Sequence, residues 1–89
     1  MIREDVLDQA KDRVMTKSKI HGEVESSFDA IATAWSIYLG MNITSRQVCE
    51  MMILMKLQRI NYGAPTLDSY VDIAGYSALA AEIAAGDEE

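Results

Sequence analysis

The run TSRQVCEMMILMKLQRINY, residues 44–62, leaves few folds open to this chain. Thr44 and Gln47 stand three apart, the spacing of a capping box, and Gly63 marks a stop. A helix between those signals has no polar face. Val48, Met51, Met52, Ile53, Leu54, Met55, Leu57 and Ile60 cover nearly its whole circumference. Such a helix is expected to be buried. Lys56 and Arg59 lie three apart on one side of it, and a buried charge without a partner is costly. The rest of the chain has to supply that partner.

Eighty-nine residues fit one domain, 1–89, whose core is marginal in isolation. With 49% of residues hydrophobic, four short helices cannot hide all the apolar surface in one copy, so a homo-oligomer is expected. The net charge of −6 argues against nucleic acid polymers and against an anionic membrane surface as partners, since both need a basic footprint. No run reaches the ~18 apolar residues of a spanning helix. The start, MIREDVLDQ, is charged where a signal peptide is apolar. The single Cys49 sits mid-helix, has no intrachain disulfide partner and reads as a small core residue. A cytoplasmic protein is the expectation.

The periodicity predicts an all-α domain of four helices, at about 2–15, 26–39, 45–62 and 67–85, with 86–89 as a frayed acidic tail. Val6, Leu7, Ala10 and Val14 stripe the first helix, and its charges read as a solvated face. Residues 16–23, TKSKIHGE, break the periodicity and read as a loop. Ser26 is the expected N-cap of the second helix, and Gly40 its stop. Phe28, Ile31, Ala32, Trp35, Tyr38 and Leu39 give that helix one apolar face. In the fourth helix Leu67, Tyr70, Val71, Ala74, Ala78 and Ala81 form the expected packing face. Gly75 inside it suggests a close approach.

The last two helices are joined by a tight turn and should lie antiparallel. Counting outward from the turn pairs Arg59 with Asp68 and Lys56 with Asp72, and Tyr76 continues the aspartate row. The structural reading is an ion-pair ladder that fixes register. The functional reading is a charged pocket in an apolar wall. There Lys56 and Arg59 would hold phosphate, and Asp68 and Asp72 would hold Mg²⁺ or a sugar or base. Lys56 is expected to face an open pocket, and Arg59, nearer the turn, to be structural. His21, beside Gly22 and ahead of a helix N-terminus, is a further candidate for an anionic ligand.

The set His21-Gly22, Ser27-Phe28, Trp35, Lys56, Arg59, Asp68, Asp72 and Gly75-Tyr76 resembles a small domain of unknown function found mainly in phage and prophage genomes. His21 and Ser27 stand where that family has Tyr and Asn. More distantly, the pattern is similar to the all-α nucleotide pyrophosphatases of the MazG type, helical oligomers that use Mg²⁺ and carboxylates on facing helices. The resemblance implies that Asp68 and Asp72 are the acidic pair of the later helix. The earlier acidic cluster has no counterpart, because Phe28, Ile31 and Trp35 occupy its stripe.

Three functions follow as expectations. The first is a phage-type protein that binds a nucleotide or nucleotide-derived signal, for instance to sequester a defence signal. The second is a Mg²⁺-dependent nucleotide pyrophosphohydrolase with a reduced site. The third is a structural or interaction module. The missing acids place the first ahead of the second.

Overall fold

A computed structural model describes residues 1–20 and 24–87 of the chain. The expected all-α architecture is present, as α1 (Ile2–Ile20), α2 (Val24–Leu39), α3 (Ser45–Tyr62) and α4 (Leu67–Asp87), with no strand among the described residues. The start of α3 is set by local chemistry. Thr44 Oγ1 accepts the Gln47 N–H at 3.1 Å, while Gln47 Oε1 accepts the Thr44 N–H at 2.9 Å, closing the capping box. Thr66 caps α4 by accepting the Ser69 N–H at 3.2 Å. Gly40 takes φ +67° just after α2, a left-handed turn that glycine adopts without steric cost. Ser36 then pins the following link. Its Oγ accepts the Ile43 N–H at 2.8 Å and donates to the Ala32 carbonyl at 2.7 Å.

Three boundaries differ from the sequence expectation. Helix α1 continues through Thr16 to Ile20 instead of ending near residue 15. TKSKI holds no Gly or Pro, and losing the apolar stripe does not by itself stop a helix. Helix α2 already begins at Val24, which puts Ser26 inside its first turn and not at its cap. Helix α4 runs to Asp87, so Gly86 and Asp87 extend the helix where a frayed tail was expected.

The packing hub is α4. It packs most extensively on α3 and next on α1, while α2 packs on α3. Val71 is fully buried, and Gly75, Leu79 and Ala80 are buried with it. The expected face is thus rotated: Leu67, Tyr70, Ala78 and Ala81 are exposed. Phe28 and Ala32 of α2 join Val48, Cys49, Leu79 and Ala80 in the core, flanked by Trp35 and Tyr76. Tyr38 and Leu39, expected on the same face, lie exposed at the end of α2. The approach of α1 is close at one point: a Cβ on Gly75 would meet Val14 Cγ2 at 3.4 Å.

Helix α3, expected to be wrapped on all sides, is wrapped on one. Val48 and Cys49 are fully buried, but Met51, Leu54, Met55, Leu57 and Tyr62 are exposed. The reason is geometric. Two neighbouring helices cover only part of a cylinder, whatever its composition.

Candidate functional site

The charges meet where α1, α3 and α4 come together, and Asp72 is at the centre. Asp68 and Asp72 are one turn apart on α4, so both carboxylates leave the helix on one face. Lys56 of α3 reaches Asp72 Oδ2 through Nζ at 2.8 Å. Arg13 of α1 spans both acids, with Nη1 2.9 Å from Asp72 Oδ1 and Nη2 2.6 Å from Asp68 Oδ1. The α1 approach at Gly75 is what brings that guanidinium within reach. Two cations and two anions thus form a junction of zero net charge, and three of the four carboxylate oxygens are occupied.

The junction is graded from inside to outside. The Lys56 and Asp72 side chains are 13% and 19% exposed, whereas Arg13 and Asp68 are 40% and 64% exposed. Burial pushes the Asp72 carboxyl up, but the hydrogen bonds and charges of Lys56 and then Arg13 outweigh it. The net effect holds Asp72 below the usual carboxylate range. Arg13 is raised above its ordinary value, first by its hydrogen bond to Asp68. Tyr76 continues the row one turn on and meets Phe28 edge-on, with ring centroids 6.1 Å apart at 73°. That contact makes it a wall between α2 and α4.

Of the residues singled out from sequence, the fold brings Lys56, Asp68 and Asp72 together, with Tyr76 adjoining. The Arg59–Asp68 pairing does not form. Arg59 is exposed, and no ion pair to it occurs among the described residues. Counting from a turn matches levels along two helices but ignores azimuth. Three residues turn a helix through about 300°, an offset of about 60°, which is enough to leave Arg59 beside the line on which Lys56 meets α4, and Arg13 takes Asp68 in its place. Lys56, expected to face an open pocket, is turned inward onto Asp72, and Arg59, expected to brace the turn, faces outward. His21 lies outside the described residues. Arg13 is the residue that sequence reasoning missed. Its signal was its place beside Val14 at the edge of the α1 stripe.

As a Mg²⁺ site, Asp68 and Asp72 are poorly placed, because guanidinium and ammonium groups already occupy the oxygens a cation needs. No group of three or more His, Cys, Asp or Glu side chains suited to a metal occurs among the described residues. Burial, with help from the Glu50 charge, pushes the Cys49 thiol up to about 11, so it stays protonated at neutral pH and is no nucleophile. Elsewhere, Ser45 Oγ donates to Asp29 Oδ1 beside a shallow groove between α2 and the start of α3. A second groove, lined by Asp12, Arg13, Thr16 and Asp72, opens on the outer side of the junction.

The family model described as Domain of unknown function (DUF6378) matches residues 5–84 and so spans the whole junction. The chain belongs to this family. The DUF6378 chain is similar to the Gene 55 protein of Mycobacterium phage L5, with 31% identity over 82% of this chain and 47% of the relative. Similarity to the Gene 55 protein of Mycobacterium phage D29 is comparable, with 33% identity over 83% of this chain and 50% of that relative. The chain therefore spans about half the length of these curated relatives. No solved structure matches it significantly. No helix among the described residues is long and apolar enough to cross a membrane.

Proposed function

We propose that this DUF6378 domain is a helical binding module of a phage-family protein, without catalytic chemistry of its own, in which the charged junction braces the fold. One observation carries the reading. Arg13 and Lys56 hold three of the four oxygens on Asp68 and Asp72, and the junction has no net charge left to offer a phosphate or a metal. A pyrophosphohydrolase of the MazG type needs free carboxylates facing one another to hold Mg²⁺ against a triphosphate. Here the acids face cations. The test is direct: the chain, a nucleoside triphosphate panel and Mg²⁺, with pyrophosphate release as the readout. No turnover is expected. Turnover that disappears in Asp72→Ala would replace this reading with the enzyme.

A nucleotide-like ligand is the second reading, and the outer groove is what favours it. Arg13 lines that groove with Asp12 and Thr16, and its bond to the well-exposed Asp68 is the one a phosphate could displace. Sequestration of a nucleotide-derived signal would then need no catalysis. Native mass spectrometry with nucleoside triphosphates and cyclic nucleotides supports this reading if an adduct forms and is lost in Arg13→Gln.

A further inference from the structure

We propose that a second copy of this chain packs on the outer face of α3, antiparallel and related by a two-fold axis near Leu54. The inference deepens the reading of the domain as a binding module and rests on it. Surface area is the first argument. The chain exposes 6381 Å². A folded monomer of 9.9 kDa is expected to expose about 5,200 Å². The excess over the whole chain, about 1,200 Å², leaves room for the roughly 800 Å² that each partner gives up in a standard interface, and the exposed Met51, Leu54, Met55 and Leu57 put part of it on α3.

The pattern of the face says what covers it. Gln47, Met51, Leu54, Gln58 and Asn61 recur at the four- and three-residue steps of a coiled-coil stripe, and all five are exposed. The stripe is apolar at its middle and uncharged at both ends. Turned about Leu54, it matches itself: Leu54 meets Leu54 of the second copy, Met51 meets Gln58, and Gln47 meets Asn61. A two-fold contact requires that kind of self-complementarity.

Charge allows the same occupant on this face. Each copy carries −6, so two copies can approach only through a face that adds no like-charge contact. The stripe holds no charged residue, and the flanking Glu50 is already 4.0 Å from Arg46 on its own helix. An antiparallel arrangement also separates Glu50 from its symmetry mate, whereas a parallel one would set them side by side.

Sedimentation of the intact chain between about 1 and 100 µM, a range that detects micromolar dissociation constants, tests the pairing. The expected species is twice the 9.9 kDa chain mass. Leu54→Glu places two carboxylates at the axis and should weaken association on the order of a hundredfold or more, with helical circular dichroism unchanged. Leu54→Cys reports the geometry. Mild oxidation should link two copies through residue 54, because Cα atoms near the axis fall within about 7 Å. The native Cys49 is buried and stays out of that reaction. A wild-type monomer at the top of the range overturns the proposal. So does a Leu54→Glu chain that stays dimeric. A dimer that cross-links through Met51→Cys overturns the antiparallel axis, because that arrangement sets the two residues 51 about 9 Å apart along the helices. Turnover of nucleotides would sink the module reading with the dimer intact, and a monomer would sink the pairing alone.

Discussion

Helices α3 and α4 divide the work of this fold in the reverse of what the size of their apolar side chains suggests. Helix α3 carries bulky apolar side chains on most of its sides, three of the six methionines among them, yet only Val48 and Cys49 are fully buried in it. Helix α4 is rich in alanine and carries Gly75 and three aspartates, and it is the hub on which α1 and α3 both pack. Hydrophobicity decides whether a surface gains by leaving water. Side-chain size decides how closely two helices approach, and so which helix can touch several neighbours. A hub needs the second property more than the first.

The largest test of this contrast is at Asp72, where α4 holds charges from both neighbours. Removing one partner of a buried ion pair typically costs about 3–5 kcal/mol. Asp72→Ala should fall toward the lower end of that range in urea unfolding, because it strands Lys56 and leaves Arg13 only the exposed Asp68. Lys56→Met should cost less, about 1–3 kcal/mol, since Arg13 still satisfies Asp72. A larger loss for Lys56→Met than for Asp72→Ala would move the hub to α3.

Acid should reveal the same node. The folded Asp72 binds its proton more weakly than the unfolded chain does. Its contribution is therefore complete above the unfolded carboxyl value of about 3.9 and is lost as pH falls through the lower folded value. Thermal melts below about pH 4 should show a steeper loss in the wild type than in Asp72→Asn. Parallel curves for the two would mean that Asp72 is not held by its cations.

Gly75→Ala gives the smallest effect and sharpens the size argument. Alanine is favoured over glycine inside a helix by about 1 kcal/mol. The added methyl meets Val14 Cγ2 at 3.4 Å, a contact a side-chain tip can absorb. A gain of up to about 1 kcal/mol is expected for alanine, whereas Gly75→Leu should push α1 away and destabilise. A leucine tolerated without loss would show that α1 does not need the close approach.

What the sequence makes legible follows from this contrast. The caps at Thr44 and Thr66 and the stop at Gly40 act within three or four residues, so they can be read locally. The Lys56–Asp72 pair was legible because a tight turn ties the levels of α3 and α4 together. Arg13 was not, because nothing local tells a charge at the edge of a stripe from one in solvent. Its partners are set by how closely α1 settles against Gly75. The expected burial of all of α3 failed for a related reason: periodicity gives the faces of a helix but not the number of neighbours present to cover them.

The Arg13 bridge also bears on how the chain assembles. It joins residues 59 apart in sequence, whereas the most extensive packing of α2, α3 and α4 is between helices that follow directly along the chain. Closing a longer loop costs more entropy, so the short-range α2–α3–α4 contacts have the kinetic advantage and α1 docks last. An element that docks last is also the first to leave. Hydrogen exchange under native conditions should find the amides of α1 opening together, at lower free energy than those of α3 and α4. Protection of α1 equal to that of α4 would make the four helices one cooperative unit. Otherwise Asp72 serves as the latch of a detachable arm.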